Sequence, residues 1–256
     1  MGRIIAIVNQ KGGVGKTTTA VNLTATLHEL GVKVLLCDFD PQANATSGLG
    51  INKRKLKKTV YDVVINGESA ESAIVSTPYG DVLPSTGDLA GAAVELIAMD
   101  DRSYRLAKSL ESVKDKYDVI FVDCPPSLEM LTVNALCAAQ SILVPVQCEY
   151  FALEGLSDLM STLRSVKKRM NPSLDIFGVV LTMYDGRTNF SAQVAQEVRR
   201  HFPGKVFATV VPRNIRLAEA PSHGIPVTVY DRSSRGAAAY REMAAEIKRK
   251  LLPEKG

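Results

Sequence analysis

Apolar runs of six to nine residues alternate along the chain with stretches of helical periodicity. The apolar runs lie at 3–8, 33–40, 81–86, 118–124, 141–147, 176–184, 205–212 and 226–231. Most are apolar throughout, which is typical of parallel strands buried on both faces of a sheet. Helical patterns follow at 103–116, 127–139, 153–169, 191–202 and 233–252. The pattern predicts an α/β fold with a doubly wound, mostly parallel sheet and helices on both faces.

Length and composition narrow this prediction. The chain has 256 residues, 46% of them hydrophobic, and no linker or repeat, so we expect a single domain over residues 1–256. The net charge of +4 permits a nucleic-acid partner without requiring one. The four cysteines show no C-x-x-C spacing, which favours reduced thiols in a cytoplasmic protein. No apolar stretch approaches the roughly 20 residues of a membrane span.

The segment NQKGGVGKTT, residues 9–18, follows the first predicted strand and precedes a helical pattern formed by Ala20, Leu23, Leu27 and Leu30. A glycine loop between a strand and a helix directs free backbone N–H groups at an anion. The end of the segment fits the phosphate-loop pattern, although Gln10 replaces its first glycine. We therefore predict a phosphate site in which Lys16 contacts the β- and γ-phosphates and Thr17 binds Mg²⁺. The predicted loop residues are Gly12, Gly13, Val14, Gly15, Lys16, Thr17 and Thr18.

Two further predicted strands end in acidic residues. Asp38 and Asp40 lie in the segment VLLCDFDPQAN, and Asp123 lies in VIFVDCPPS. Ligands bind beyond the carboxyl ends of such strands, so these carboxylates are expected beside the loop. Asp123 is predicted to organise Mg²⁺, and Asp40 to orient the water that attacks the phosphate. Each aspartate also has a simpler explanation as a turn-capping residue.

The sequence resembles the ParA family of chromosome- and plasmid-partitioning ATPases, especially its short Soj-type members. The resemblance rests on KGGVGKTT, DFDPQANATSGLG, VDCPPSL, PVQCEYFALEGL and VPRNIRLAEAPSHGIPV, which span nearly the whole chain. It implies a phosphate-loop ATPase with a deviant Walker A motif that requires ATP and Mg²⁺. In the short members no helix-turn-helix segment is expected ahead of residue 1.

The resemblance also implies roles for single residues. Lys11 matches the family's signature lysine, which reaches the phosphates bound by the partner subunit, so the ATP state is expected to be a homodimer. Asp40 is expected to orient the hydrolytic water, and Pro212 and Asn214 to border the adenine. Lys11, Lys16 and Asp40 are thus the predicted catalytic residues.

The resemblance further implies that the ATP dimer binds double-stranded DNA without sequence preference and that a ParB-type protein stimulates hydrolysis. Such a protein would be cytoplasmic and associated with the nucleoid. Arg187 and Arg216 are the predicted DNA contacts. The cluster Lys53–Lys58 is an alternative DNA surface, but charge runs are more often solvated faces.

Two other functions share this scaffold. A membrane-cycling ATPase of the MinD type would need an amphipathic membrane helix, and Tyr240, Met243 and Ile247 form one apolar face of the last predicted helix. We favour packing of that face against the sheet, and no membrane partner. An iron–sulfur protein like the nitrogenase iron protein would need two ligating cysteines, for which Cys124 and Cys137 are poorly placed.

Overall fold

The computed structural model describes residues 2–149 and 152–252. Within these ranges seven strands form one sheet in the order β3-β4-β2-β5-β1-β6-β7. Only the edge strand β3 runs antiparallel to its neighbour. The strands are β1 (Arg3–Ile7), β2 (Val34–Asp38), β3 (Val75–Thr77), β4 (Gly80–Leu83), β5 (Val119–Asp123), β6 (Ser141–Gln147) and β7 (Asp175–Thr182). The predicted doubly wound, mostly parallel sheet is confirmed.

Helices cover both faces of the sheet. The longer ones are α1 (Lys16–Glu29), α5 (Leu89–Glu95), α6 (Arg105–Glu111), α7 (Met130–Ala138), α8 (Ala152–Arg169), α9 (Asn189–His201) and α12 (Arg235–Leu251). The shorter ones are α2 (Asn44–Gly48), α3 (Val60–Val64), α4 (Ala70–Ala73), α10 (Arg216–Glu219) and α11 (Val227–Tyr230). Four 3₁₀ turns lie at Lys53–Lys55, Leu96–Ala98, Lys114–Lys116 and Ala220–His223.

Alternate side chains of each central strand enter two separate cores. Ile5 and Ile7 of β1 pack with α1 and α12 on one face, whereas Ile4 and Ala6 pack with α3, α6 and α7 on the other. This follows from the two-residue repeat of a strand. Because both faces need apolar side chains, β1, β2 and β5 are apolar except for one charged end residue each, which explains why the sequence pattern located them.

The strand order brings the candidate site together. Strands β2, β5, β1 and β6 are neighbours and all parallel, so their carboxyl ends lie at one edge of the sheet. In register, Ile7 and Asp38 both pair with Asp123. The loop after β1 and the acids after β2 and β5 are therefore neighbours, as ligand-binding residues are in sheets of this type.

Two predicted strands were wrong. Residues 205–212 run beside β7 but form only isolated bridges, at Val206 and Pro212. The reason lies in α12, where the Glu246 carboxylate accepts hydrogen bonds from the backbone N–H groups of Ala208 and Thr209. Those groups are no longer available for a continuous ladder with β7.

The segment 226–231 was also predicted as a strand and forms the helix α11. Pro226 precedes the helix, and the N–H of Val227 donates to Oδ1 of Asn22 on α1 at 2.8 Å. A proline suits a helix start because a first-turn N–H has no partner within the helix. Val227 and Thr228 are buried, which accounts for the apolar run.

Candidate nucleotide and metal site

The loop between β1 and α1 has the backbone conformation that its glycines permit. Gly13 and Gly15 have φ angles of 74° and 90°, in the left-handed region that favours glycine. Gly15 is the N-terminal cap of α1, and its carbonyl accepts the hydrogen bond of Thr19 N–H at 2.9 Å. Gly12 and Gly13 are exposed. The start of α1 therefore presents free N–H groups at an open loop, which is the arrangement that binds phosphate.

Hydrogen bonds to β6 and β7 anchor this loop. Nδ2 of Asn9 donates to the carbonyl of Pro145 on β6 at 2.7 Å, while its Oδ1 accepts from the N–H of Lys11. Oγ1 of Thr182, the last residue of β7, donates to the carbonyl of Val14 at 2.8 Å. Sequence reasoning assigned no role to Asn9 or Thr182. Only their position at the carboxyl ends of strands indicated them.

Lys16 turns back over the loop. Its Nζ donates to the carbonyl of Lys11 at 3.2 Å, and the residue is only 6% exposed. Burial lowers the pKa of Lys16, while the nearby charges of Asp123 and Asp40 raise it. The nearby carboxylates offset only part of the cost of burying this ammonium. A phosphate oxygen would therefore form a strong, charge-assisted hydrogen bond with it. The predicted contact of Lys16 with the β- and γ-phosphates stays a prediction.

Asp123 and Asp38 lie side by side, at the paired ends of β5 and β2, and are fully buried. Asp38 accepts hydrogen bonds from the N–H and Oγ1 of Thr46, both at 2.7 Å. Burial nevertheless raises the pKa of Asp38 to about 6. The pKa of Asp123 is raised well above its ordinary value. Burial is the largest cause, and the negative charge of Asp38 is the second. Asp38 is a site residue to which the sequence analysis gave no role.

The residues present fit a bound Mg²⁺. Both carboxylate oxygens of Asp123 are buried, and among the described residues the Thr17 hydroxyl is the one group whose hydrogen bonding lowers the pKa of this carboxyl. An uncompensated buried carboxylate is costly, and a nearby cation offsets that cost. Thr17 and Lys16 are close enough to oppose the rise in the pKa of Asp123. The described residues contain no cluster of three or more acidic, histidine or cysteine ligands, so the ion would depend on Thr17, water and phosphate oxygens.

Asp40 lies in the loop after β2 and is 7% exposed. Its Oδ1 accepts the N–H of Gln42 at 2.9 Å, and its carbonyl accepts Oγ of Ser85 at 2.9 Å. Its charge acts on both Lys16 and Asp123, so the three groups form one cluster. One residue of this loop, Ala43, has a φ of 52°, which is uncommon outside glycine.

A cavity of about 380 Å³ opens beside the loop and α1. Pro212 and Asn214, which were predicted to border an adenine, both line it. Met183, with a φ of 50°, also lines the cavity. So does Tyr240 of α12, whose buried hydroxyl lies 3.1 Å from Oγ1 of Thr19. The cavity has the size and mixed lining of a ligand pocket and adjoins the phosphate loop directly.

Lys11 points away from the loop that contains it. Its Nζ lies 3.4 Å from Oε2 of Glu149, which follows β6, and about a third of its side chain is exposed. Glu149 also lies 3.6 Å from Arg213. The two lysines of the segment therefore diverge, with Lys16 turned inward over the loop and Lys11 turned outward.

The two predicted DNA contacts are exposed but paired within the chain. Arg187 forms a two-point contact with Asp185, at 2.9 and 2.7 Å, and its side chain is 88% exposed. Arg216 contacts Glu219 at 2.7 Å and Asp231 at 3.2 Å. Exposed ion pairs contribute little to stability, so a phosphate competes with them easily.

The structure also bears on the two alternative functions. Tyr240, Met243 and Ile247 are buried in the core against the sheet. Cys124 is fully buried, and burial raises the pKa of its thiol well above the ordinary value. An iron–sulfur cluster shared across a subunit surface needs an accessible thiolate, so Cys124 is a poor candidate ligand. Across the described ranges, no helix combines the length and the hydrophobicity that crossing a bilayer requires.

Comparisons with known proteins agree with this geometry. A family model described as an AAA domain matches residues 2–176. The chain is 55% identical to the sporulation initiation inhibitor protein Soj of Bacillus subtilis, over 96% of this chain and 98% of that protein. It is 48% identical to the chromosome partitioning protein ParA of Myxococcus xanthus, over 99% and 90% of the two chains. Among solved structures, cobyrinic acid a,c-diamide synthase of Mycobacterium smegmatis, with a bound ATP analogue and magnesium, superposes with a TM-score of 0.87. That protein is 36% identical, over 100% of this chain and 98% of its own.

Proposed function

Because the chain belongs to the Soj/ParA family of chromosome-partitioning ATPases, we propose that it is a DNA-partitioning switch driven by ATP. In this proposal ATP binding causes dimerisation, the dimer binds double-stranded DNA without sequence preference, and hydrolysis releases it. A ParB-type partner stimulates the hydrolysis. The protein acts as one domain, residues 1–256, in the cytoplasm and on the nucleoid.

The proposed nucleotide contacts follow from the positions of the loop residues. The N–H groups of Gly12 to Thr18 surround the phosphates, and Lys16 places its ammonium on the β- and γ-phosphates. The base enters the cavity bordered by Pro212 and Asn214. The open cavity and the loop adjoin at Gly15 and Thr18, so one nucleotide spans both.

Mg²⁺, when bound, neutralises charge that develops on the transferred phosphate. Thr17 would hold the ion through its hydroxyl, and Asp123 would supply the negative charge that attracts it. Asp40 accepts a hydrogen bond from the attacking water and orients it. The support for these roles is the common cluster formed by Asp40, Asp123 and Lys16, together with the burial of both carboxylate oxygens of Asp123.

The divergence of the two lysines supports dimerisation most directly. Lys16 serves its own loop, whereas the ammonium of Lys11 is directed outward and forms a partly exposed pair with Glu149. A lysine supplied by a second subunit offsets phosphate charge only when the two subunits face each other, much as an arginine finger does. ATP then becomes part of the dimer interface.

Membrane cycling of the MinD type is the less well supported alternative. The apolar face of α12 that a membrane helix would need is occupied by the sheet. Vesicles of anionic lipid therefore serve as a comparison arm in the decisive test.

The test measures binding to a fluorescent DNA duplex of random sequence with ATP, with ADP and without nucleotide. We expect binding with ATP alone, and loss of that binding in Lys11→Ala. Binding that ignores the nucleotide, or ATP-dependent sedimentation with vesicles but not with DNA, would overturn the proposal.

A further inference from the structure

A second cavity opens at the sheet edge opposite the phosphate loop. Its volume is about 300 Å³. Arg3, Ser141 and Asp175, the first residues of β1, β6 and β7, all line it. Lys205 and Lys250 line it from the segment after α9 and from the end of α12, together with Gln140, Ser173, Ile176 and Phe177. The cavity thus lies at the amino ends of three parallel strands, and none of these residues takes part in the nucleotide site.

Three cations converge on this cavity. Lys250 lies 5.0 Å and Arg3 5.8 Å from the ring centre of Phe177, and Nζ of Lys250 donates to the Phe177 carbonyl at 2.6 Å. Nζ of Lys205 contacts Oδ2 of Asp175 at 2.9 Å. Among the described residues, the guanidinium of Arg3 has neither an ion pair nor a hydrogen bond. It therefore keeps its five donors available to a ligand.

The charges around the cavity are not balanced. Asp175 is the one carboxylate among the lining residues, against three cations. Glu246 of α12 is the next acidic group that acts on Lys250, and its oxygens already accept hydrogen bonds from Ala208 and Thr209. Burial lowers the pKa of Lys250, and the charges of Lys205 and Arg3 lower it further, while the charges of Glu246 and Asp175 raise it. The cations repel one another, and a bound anion would relieve that repulsion.

We propose that this cavity binds a small phosphate-bearing anion, such as inorganic phosphate or pyrophosphate, between Arg3, Lys205 and Lys250. Arg3 supplies the planar fork of donors that matches two phosphate oxygens, and the two lysines supply point charges. The site is separate from the nucleotide site, so it is expected to fill whether or not the loop holds nucleotide.

The test is calorimetric titration of the full chain with pyrophosphate. Excess ADP without Mg²⁺ keeps the loop filled and leaves the pyrophosphate free of metal. The variants are Lys250→Gln and Arg3→Gln. The control is Arg249→Gln. Arg249 is exposed, as Lys250 is, and precedes it on the same helix, but it does not line the cavity.

We expect saturable binding of one pyrophosphate per chain, weakened about tenfold or more in each cavity variant, as for loss of a charge-assisted hydrogen bond. Arg249→Gln is expected to stay within about twofold of the unchanged chain, since that exposed charge makes no direct contact. Absence of saturable binding, or an equal loss in Arg249→Gln, would show only a diffuse basic surface and overturn the proposal. A duplex that binds through Lys250 and Arg3 while pyrophosphate does not would assign the surface to nucleic acid and also overturn it.

Discussion

The ammonium nitrogen of Lys11 lies 3.4 Å from Oε2 of Glu149, two residues past the end of β6. The same carboxylate lies 3.6 Å from Arg213, and the side chain of Gln147 donates to its other oxygen. Glu149 therefore holds the outward lysine on its own subunit. A lysine needed by a partner subunit must leave this pair first, so the pair competes with dimerisation.

Neutralising Glu149 should release Lys11. Glu149→Gln is expected to form ATP-dependent dimers at a protein concentration about two- to fivefold lower, because a partly exposed pair is worth at most roughly 1 kcal/mol. Light scattering after size exclusion, over a dilution series with ATP, measures this. Glu68→Gln, which breaks the partly exposed pair with Lys58, is the matched control and should change nothing. A dimerisation midpoint that rises in Glu149→Gln would mean that Glu149 acts within the dimer instead.

The two lysines of the loop should have separable functions. Lys16→Ala is expected to weaken ATP binding by roughly 10- to 150-fold, as loss of a hydrogen bond between charged groups does. Lys11→Ala should keep much of its monomer affinity and lose dimerisation. Equilibrium binding of a fluorescent ATP analogue measures the first property and light scattering the second. Dimers of Lys11→Ala at the concentration at which the unchanged chain dimerises would contradict the trans role.

The apolar pattern predicted the fold because parallel strands such as β5 and β6 are apolar on both faces. It failed where a single distant residue decided the local structure. Glu246 takes the N–H groups that residues 205–212 would need for a ladder, and Asn22 caps the helix that begins at Val227. Neither partner is visible from the segment itself.

The residues of the candidate site also fall into two groups, those with a local sequence signal and those that act through distant contacts. The loop and Asp123 carry local signals, a glycine run and an acid after an apolar strand, and the structure places them at neighbouring strand ends. Asn9 and Thr182 act through hydrogen bonds to other strands, and Glu149 through an ion pair across the sheet edge. Such contacts depend on strand order, which a single sequence does not encode locally.

Asp40 should be needed for hydrolysis and not for binding. Asp40→Asn can still accept the N–H of Gln42 and so keep the loop in place, but it lacks the charge that orients water. We expect ATP binding and dimerisation to persist while turnover falls by about 100-fold or more. Phosphate release and dimerisation are measured on the same samples of Asp40→Asn, and the measurements are repeated with Asp40→Ala. Rapid turnover in either variant would exclude this role.

Asp123 should link metal binding to stability. With ADP present, Mg²⁺ is expected to raise the melting temperature of the unchanged chain, and chelation with EDTA to reverse the increase. Asp123→Asn should lose most of that increase. An equal Mg²⁺ effect in both proteins would place the ion elsewhere.

DNA binding by the ATP dimer should depend steeply on salt, because each subunit carries a net charge of only +4 and affinity must come from localised phosphate contacts. If about four phosphates are neutralised, log K should fall against log[salt] with a slope of roughly −3.6. Arg216→Ala removes two contacts per dimer, so its slope should approach about −1.8, equally for all sequences. ATP-dependent dimerisation should survive, since among the described residues the side chain of Arg216 pairs with Glu219 and Asp231, and its backbone contact with Asn214 is unchanged in alanine.

The matched control for that experiment is Arg54→Ala, an exposed arginine of the Lys53–Lys58 cluster. Fluorescence anisotropy with one labelled duplex, repeated across a range of salt concentrations, gives each slope. If the cluster is only a solvated face, Arg54→Ala keeps the slope of the unchanged chain. A shallower slope in Arg54→Ala, together with an unchanged one in Arg216→Ala, would move the DNA surface to Lys53–Lys58. The ion pairs of Arg216 would then be structural, holding the start of α10 against the segment that contains Asp231.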